Sequence, residues 1–249
     1  MSSLLTAAPQ QPPSSAHDCV VRYRDPVRGD TDESLTLAMA QPFEHTPPVA
    51  PLPVYKGQRS SPGHYWSARL GDHVGYRTRL ERDTAMVLDH DITVRAFTSR
   101  PFEVSWTGPH PPRAHIPAFF ARRVDGTGVV VDCRSRNTRK PDDPAANTAI
   151  RDACAYACWD HLLVTGYDPV WIENLRWLAG YRHPRHHHDG VAQGLLTAFD
   201  RPGPLMATAA AVGDPLAVLP ALYHLLWNKR LHADLTLRLD SVSIVSVPR

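Results

Sequence analysis

The stretch HIPAFFARRVDGTGVVVDCRSR, residues 115–136, decides how the fold is predicted. Its two β-type runs, HIPAFFARR and GVVVDCRSR, are joined by the turn DGTG, so the stretch predicts a β-hairpin. The second run ends in an acid-x-base pattern, Asp132-Cys133-Arg134. Because neighbouring residues of a strand point to opposite faces, Asp132 and Arg134 are predicted to share one face and Cys133 to lie on the other.

The elements predicted on either side of this hairpin alternate between helix and strand. Before it, the spacing of Leu80, Val87 and Leu88 predicts a helix that also carries Glu81. Two further β-type runs, ITVRAF and FEVSW, lie between this helix and the hairpin. After the hairpin, residues 144–160 predict a second helix, which the short buried strand HLLVTG follows. The resulting order of helices and strands predicts a mixed α/β core.

A helix carboxylate followed by a hairpin that ends in acid-x-base is typical of the restriction-endonuclease-like, PD-(D/E)xK core. Such a core holds Mg²⁺ with clustered carboxylate oxygens, and the metal stabilises charge on a phosphodiester and activates a water. Glu81 and Asp132 are the candidate metal ligands, and Arg134 is the candidate cation at the phosphate. The first hairpin strand reads Pro117-Ala118 where the pattern has proline-aspartate, so one ligand is missing.

Each candidate also has a structural interpretation. A glutamate in a charged helix, such as Glu81, is most often just solvated. Asp132 follows three valines of a predicted buried strand, where an unpaired acid costs desolvation, but an ion pair with Arg134 or Arg123 would satisfy it equally well. Arginine in place of lysine at position 134 stays cationic and cannot act as a titrating base, so its role would be electrostatic.

The bulk composition sets the outer limits of the function. The chain has 249 residues and a formal net charge of only +2, so its overall charge does not indicate nucleic acid. Residues 113–140 hold seven Arg or Lys against two acids, which suits a polyanionic substrate or, alternatively, a solvated arginine-rich hairpin. The cysteines lack zinc-site spacing, and Cys154 and Cys158 are expected to be buried thiols. Without a membrane-length apolar run or signal peptide, a cytoplasmic protein with no membrane contact is expected.

Composition and pattern divide the chain into three parts. Residues 1–53 contain nine of the 24 prolines and are expected to be largely extended or disordered, with one strand at CVVRYRD. Residues 54–167 are expected to form the nuclease-type domain. Residues 168–249 are predicted to form helices followed by a strand pair in TLRLDSVSIVSV, which suggests a winged-helix-like domain for partner or DNA contact.

Two further motifs in residues 168–249 are interpreted as structural. The run HHHD (186–189) follows a proline in a predicted loop, and consecutive residues do not share a face, so a surface linker is favoured over a metal site. Trp171 and Trp177 lie on a predicted helix, and core packing is favoured over a platform for stacking bases.

In the order of its motifs the chain resembles the TnsA-like endonuclease subunits of Tn7-type heteromeric transposases, particularly actinobacterial forms. The motifs span most of residues 54–185: YKGQRSSPGHYWSA (55–68), GYRTRLERDTAMVLDHD (75–91), RPFEVSW (100–106), HIPAFFARRVDGTGVVVDCR (115–134) and VWIENLRWLAGYRHPR (170–185). Each motif is short, and the specificity of the resemblance lies in their order.

The resemblance implies a Mg²⁺-dependent endonuclease, with Mn²⁺ as a substitute, that nicks the 5′ ends of a transposon in double-stranded DNA. A DDE-type transposase would cut the 3′ ends, and an AAA+ regulator would bind the C-terminal winged-helix-like part. By position, Glu81 matches the helix acid of the family and Asp132 the acid of its D/E-x-K element. Arg134 falls where that element has lysine, and Ala118 where the family has its central metal-binding aspartate.

Alanine at position 118 cannot bind a metal, so the chain as written is expected to be catalytically impaired. A deliberate Asp-to-Ala substitution is favoured over a natural loss, because the surrounding residues keep the active pattern. Two rival functions stay open. One is a non-catalytic assembly or DNA-positioning subunit that bridges transposase and regulator. The other is a winged-helix DNA-binding regulator. The lack of a helix rich in Arg, Asn or Gln in residues 168–249 counts against it.

Overall fold

The computed structural model describes residues 19–52, 56, 61–106, 113–135 and 144–248, and of residues 113 and 144–146 only the backbone. The chain divides into two units, Met1–Gly166 and Tyr167–Arg249. Helices and β-strands alternate along the described chain, which confirms the predicted mixed α/β class.

The first unit is built on two four-stranded sheets. In chain order it contains β1 (Val20–Asp25), β2 (Gly29–Ser34), α1 (Leu35–Ala38), β3 (Gly63–Ser67), β4 (Asp72–Tyr76), α2 (Arg79–His90), β5 (Val94–Ser99), β6 (Phe102–Trp106), β7 (Arg113–His115), β8 (Phe119–Arg123), β9 (Gly128–Cys133), α3 (Pro144–Tyr156) and β10 (Asp160–Val164). The core sheet has the order β10-β9-β8-β5, with β10 parallel to β9 and the other pairs antiparallel. The second sheet has the order β2-β1-β6-β7.

The predicted hairpin forms as β8 and β9. Phe120 pairs with Val130, and both side chains are fully buried. In the turn, the Asp125 carboxylate accepts a hydrogen bond of 2.9 Å from a backbone N–H two residues ahead, and Gly126 takes a left-handed φ of 91°. Glycine adopts this conformation without a steric penalty, which is why the DGTG sequence closes the hairpin.

The N-terminal segment is folded where the structure describes it, which corrects the expectation of a largely extended or disordered stretch 1–53. β1 occupies the predicted strand CVVRYRD and pairs with β2 on one side and β6 on the other. Its residues Val21 and Tyr23 are buried. Residues 1–18 and 53 lie outside the described residues.

The placement of prolines and aromatic residues explains this correction. Of the nine prolines in the segment, only Pro26 and Pro42 lie between the start of β1 and the buried Phe43, where they fall in a turn and before a 3₁₀ turn. Phe43 is fully buried, and its ring lies 4.6 Å from that of Phe102 and 5.8 Å from that of Phe120. Burying one such ring stabilises the fold by roughly 2–3 kcal/mol. This adds to the burial of Val21, Tyr23 and Leu35, and together these side chains offset part of the entropy of ordering the segment.

The run FEVSW does not follow its sequence neighbour β5 into the core sheet. It forms β6, which lies in the second sheet between β1 and β7. The chain turns sharply between the two strands at Arg100, whose φ is 50° and whose backbone N–H donates to the carbonyl of Ala118 at 3.0 Å. The Arg100 side chain also donates to the carbonyl of Ala50 at 3.0 Å, so the turn is fixed from two sides.

The second unit consists of helices and a small sheet. It contains α4 (Pro169–Ala179), α5 (Asp189–Ala198), β11 (Gly203–Pro204), α6 (Leu205–Val212), α7 (Pro215–Trp227), β12 (His232–Ala233) and β13 (Ile244–Ser246). The three short strands form a sheet in the order β11-β13-β12. α4 begins after Asp168, whose carboxylate accepts from the backbone N–H of Trp171 at 2.9 Å, and it stops before Gly180 as predicted.

The strand pair predicted in TLRLDSVSIVSV is wrong, because within it only Ile244–Ser246 is a strand. Instead, the buried side chain of Asn174 on α4 binds the backbone near the start of this stretch. Its amide donates to the carbonyls of Leu235 and Leu237 at 2.8 and 2.7 Å. Since buried backbone groups need partners, a side chain that supplies them removes the need for a paired strand.

No single helix in the described ranges is both long and apolar enough to cross a membrane. The pair α6 and α7 passes the same criteria only when taken together, and the two helices are bent by 118° at their break. In α7 most apolar side chains are buried, as in the core helix of a folded unit.

Candidate functional site

Glu81 lies in the first turn of α2, where its side chain and its backbone both stabilise the helix start. Its backbone N–H donates to the hydroxyl of Thr78 at 3.1 Å. Its carboxylate accepts from the backbone N–H of Arg77 at 2.6 Å and from the Arg77 guanidinium at 3.0 and 3.1 Å. Glu81 is 3% exposed, so it is a buried helix-start residue and not the solvated glutamate of the structural interpretation.

The alternation of β9 separates Glu81 from Asp132. Cys133 points toward α2, with its thiol 3.3 Å from the hydroxyl of Thr84. Burial raises the pKa of Cys133 to about 12, and the nearby charge of Glu81 acts in the same direction. Asp132 shares the opposite face with Val130, which packs in the cluster that includes α3. Within the described residues, Glu81 and Asp132 bind other groups and not each other.

Asp132 is held between two histidines. Its Oδ1 accepts from Nε2 of His115 at 2.8 Å, and its Oδ2 accepts from Nε2 of His161 at 2.9 Å. Burial works to raise the pKa of Asp132, but the hydrogen bonds and charges of the two histidines outweigh it and hold the pKa at about 2. Because His115 ends β7 and His161 lies in β10, this carboxylate links the core sheet to the second sheet.

Ala118 lies immediately before β8 and is buried, at 4% exposure. The β8–β9 register ends with Phe119 facing Val131, and continuing it by one step would set position 118 opposite Asp132 on the same face. Directly opposite residues of antiparallel strands have Cβ atoms about 4.5–5.5 Å apart. A carboxylate at position 118 would therefore lie within reach of Asp132.

Arg134 follows β9 and shares the face of Asp132. Its backbone N–H donates to the carbonyl of Val164 at 2.8 Å, which extends the β9–β10 pairing. Its guanidinium donates to Oδ1 of Asn147 on α3 at 2.8 Å. Among the described residues, the oxygens of Asp132 accept from the two histidines, and no ion pair with Arg134 is found.

Two arginines of the predicted basic stretch are bound within the fold. Arg122 donates to the carboxylate of Glu44 at 3.1 Å, and Arg123 pairs with Asp160. Arg123 is therefore not the partner of the site carboxylate, as the sequence also allowed. Residues 136–140 lie outside the described ranges. In the described part of the stretch, the charges of Arg122 and Arg123 are therefore paired with carboxylates of the same fold.

The oxygen atoms present do not form a Mg²⁺ site. The oxygens of Asp132 accept from imidazoles, those of Glu81 accept from Arg77, and Ala118 offers none. No group of three or more His, Cys, Asp or Glu side chains among the described residues is arranged to hold a metal ion. Mg²⁺ requires near-octahedral oxygen ligands. The site fits that ion only if position 118 carries a carboxylate and Asp132 turns away from its histidines.

Sequence reasoning missed His115 and His161, although both begin quoted motifs, HIPAFF and HLLVTG. The parallel pairing of β10 with β9 sets Leu163 beside Asp132 and so puts His161 on the same face. His115 reaches the carboxylate because β7 belongs to the second sheet. Both contacts with Asp132 depend on strand pairing between distant parts of the chain, so no local sequence pattern predicts them.

The remaining motifs have mixed outcomes. The HHHD run follows the 3₁₀ turn Pro184–His186 at the surface, and His187 donates to Asp189 at 3.0 Å. Cys154 is buried as expected, whereas Cys158 is exposed, so the prediction is wrong for that thiol.

The prediction that both tryptophans pack in the core is wrong for Trp177 and holds only in part for Trp171. Trp171 is half-buried and lies 5.8 Å from the ring of Tyr167. Trp177 is 55% exposed, so the prediction of a core side chain is wrong there.

Searches against protein-family models and against curated proteins find no match for this chain. The family resemblance carried by the motif order is therefore a proposal. The register of the core sheet and the contacts of the candidate residues are the observations on which that proposal depends.

Proposed function

We propose that the chain is a TnsA-like endonuclease subunit of a transposase, with a restriction-endonuclease-like PD-(D/E)xK core that is inactive because position 118 is alanine. The observation that carries the proposal is the β8–β9 register, whose last pair, Phe119 and Val131, directly neighbours position 118 on one strand and Asp132 on the other. The order α2-β5-β8-β9-α3-β10, counted with the strands of the core sheet only, supports the same assignment. The parent reaction is hydrolysis of one strand of double-stranded DNA at transposon ends.

The roles of the residues follow from where they lie. A carboxylate at position 118 beside Asp132 would complete the pair of acids that Mg²⁺ or Mn²⁺ requires. Arg134, on the same face two residues later, supplies positive charge for a bound phosphate. Glu81 begins α2 and forms an ion pair of 3.0 Å with Arg77, so its part is to fix the start of the helix whose Thr84 contacts Cys133 of β9.

The test is strand-specific cleavage of an end-labelled transposon-end duplex by the full assembly of this chain, DDE transposase and AAA+ regulator in Mg²⁺. We expect nicking at the 5′ ends with Ala118→Asp and none with the unchanged chain. Ala118→Asn is the matched control, because asparagine has nearly the same shape as aspartate but lacks the charge. An inert Ala118→Asp variant in an intact assembly would contradict the proposal.

A non-catalytic assembly or DNA-positioning subunit is the second candidate. The observation that favours it is that Glu81, Asp132 and Arg134 are each bound by neighbouring protein groups. This function predicts that the chain bridges transposase and regulator equally well with alanine or aspartate at position 118, with no cleavage from either. Size-exclusion chromatography of the assembly beside the cleavage assay separates the two candidates.

The second unit, with its helices and small three-stranded sheet, is proposed to be a winged-helix-like module that contacts the regulator or DNA. Leu216 at the start of α7 is 86% exposed, an unusual position for a large apolar side chain. We expect Leu216→Asp to weaken regulator binding by the full chain. Leu37→Asp, which changes a 64% exposed leucine of the first unit, should leave binding unchanged.

A further inference from the structure

An aromatic cluster with one exposed and two half-buried rings lies at the surface of the second unit. It consists of Trp177 at the end of α4, Tyr181 just after α4, and Tyr223 on α7. The Trp177 ring lies 5.9 Å from Tyr181 and 5.8 Å from Tyr223, and the two tyrosine rings are 4.9 Å apart. More than half of Trp177 is nevertheless open to solvent. A large aromatic side chain left exposed on a folded unit marks a contact surface.

The exposed ring is held in place by its neighbours. Trp177 meets Tyr223 edge to face, with an angle of 88° between the ring planes. Tyr181 is fixed to α7 because its carbonyl accepts from Nδ1 of the buried His224 at 2.8 Å. The indole is therefore presented to solvent with little freedom to lose on binding, and preorganisation of this kind favours affinity.

The surroundings of this cluster are basic. Residues 176–188 contain three arginines and four histidines and no acid, and α7 contains no Asp, Glu, Lys or Arg between Pro215 and Trp227. Arg185 is exposed, and the neighbouring His186 ring lies 5.4 Å from Tyr181. Glu173, one helical turn before Trp177, is the nearest acid in the sequence on that side.

We infer that this aromatic cluster binds a single strand of nucleic acid, with an unpaired base stacked on Trp177 and the adjacent phosphate bound by Arg185. Single-strand sites combine an aromatic platform with a positively charged border, and both are present here. A duplex hides the faces of its bases, so it cannot use the exposed indole in this way. An acidic peptide would use the arginines but leave the ring unused. The inference concerns a surface outside the core sheet and does not depend on cleavage.

The first experiment measures the affinity of the full chain for a short fluorescein-labelled oligothymidine by anisotropy at low ionic strength. We expect Trp177→Ala to weaken binding about tenfold or more, and Trp177→Phe to retain most of the affinity because a ring remains. Val170→Ala, which trims a 38% exposed apolar side chain of the same helix, is the matched control and should bind like the unchanged chain. An oligouridine of equal length shows whether RNA is accepted as well as DNA.

The charges are tested separately in the same assay. Arg185→Gln should weaken binding about threefold and flatten its dependence on salt, because one phosphate contact is lost. Arg201→Gln removes an exposed arginine of the same unit outside the cluster and should have no effect. Glu173→Gln should tighten binding about twofold, since it removes the acid nearest Trp177 along the helix.

Two results would overturn the inference. One is equal affinity of the unchanged chain and Trp177→Ala for the oligothymidine, with both proteins folded by circular dichroism. The other is an affinity for the matching duplex as high as that for the single strand, which would show that base faces are not read.

Discussion

Glu81 and Asp132 are both carboxylates with little exposure to solvent, but their hydrogen-bond donors come from different parts of the chain. Glu81 takes its hydrogen bonds from Arg77, four residues earlier, and from no distant strand. Asp132 takes its hydrogen bonds from two histidines that belong to other strands. Glu81 is thus part of a helix start and is bound from within four residues of its own position, whereas Asp132 is a junction between two sheets.

The largest loss of stability is expected from removing the carboxylate of Glu81. Glu81→Ala should lower the free energy of unfolding by about 3 kcal/mol, because it leaves a backbone N–H and a guanidinium without their acceptor. Arg77→Ala should cost only about 1 kcal/mol, since the backbone hydrogen bond to Glu81 remains. Urea unfolding measures both values. Equal losses for the two variants would show that the ion pair, and not the helix start, carries the contribution of Glu81.

The junction carboxylate should show its contribution as a dependence on pH. The pKa of Asp132 is lowered from 3.8 to about 2, so its stabilisation is present above pH 3.8 and is lost as the pH falls toward 2. A shift of this size corresponds to about 2 kcal/mol at neutral pH. Asp132→Asn should therefore be less stable by about 2 kcal/mol at pH 7 and nearly equal to the unchanged chain near pH 2. A difference that persists unchanged in acid would contradict this assignment.

The two histidines should act on a shared acceptor. His115→Ala and His161→Ala are each expected to lower the free energy of unfolding by about 1 kcal/mol, because Asp132 keeps one donor in either variant. The double variant should lose more than the sum, since it leaves a largely buried carboxylate with no donor from either ring. A double-mutant cycle by urea unfolding measures this coupling. Simple additivity would mean that Asp132 does not join the two sheets through these rings.

The smallest effect on stability is expected at Arg134. Arg134→Gln should change the free energy of unfolding by no more than about 0.5 kcal/mol, because the side chain is partly exposed and glutamine can still donate to Asn147. In the Ala118→Asp background the same change should sharply reduce nicking, since a positive charge beside the phosphate is lost. Arg134→Lys should retain part of the nicking. A large loss of stability with nicking unchanged would assign Arg134 to packing alone.

The sequence was enough to predict what depends on local pattern. The period of α2, the DGTG turn and the alternation of β9 follow from neighbouring residues, and the shared face of Asp132 and Arg134 follows from them. The route of β6 did not, because its partner β1 lies some eighty residues earlier in the chain. The proline content of the N-terminal segment also misled, since its side chains Val21, Tyr23, Leu35 and Phe43 are all buried in the core.

In the candidate site, too, local pattern was sufficient for some features and long-range pairing was needed for others. Glu81, position 118 and Asp132 could be picked out from the order of motifs. That Asp132 is bound by His115 and His161 required the parallel register of β10 and the placement of β7. Trp177 was interpreted as a core residue because its helical spacing fits an apolar face, yet more than half of it is exposed. Periodicity places a residue on a helix face, but tertiary packing decides whether that face is covered.

The most direct test of the central claim is the binding of Mn²⁺ to the isolated chain, measured by isothermal titration calorimetry. The claim is that position 118 is the missing metal anchor opposite Asp132. We predict no specific site in the unchanged chain, one site per chain in Ala118→Asp, and loss of that site when Asp132→Asn is added. An Ala118→Asp chain that binds no Mn²⁺, or binds it equally well with Asp132→Asn, would contradict the account.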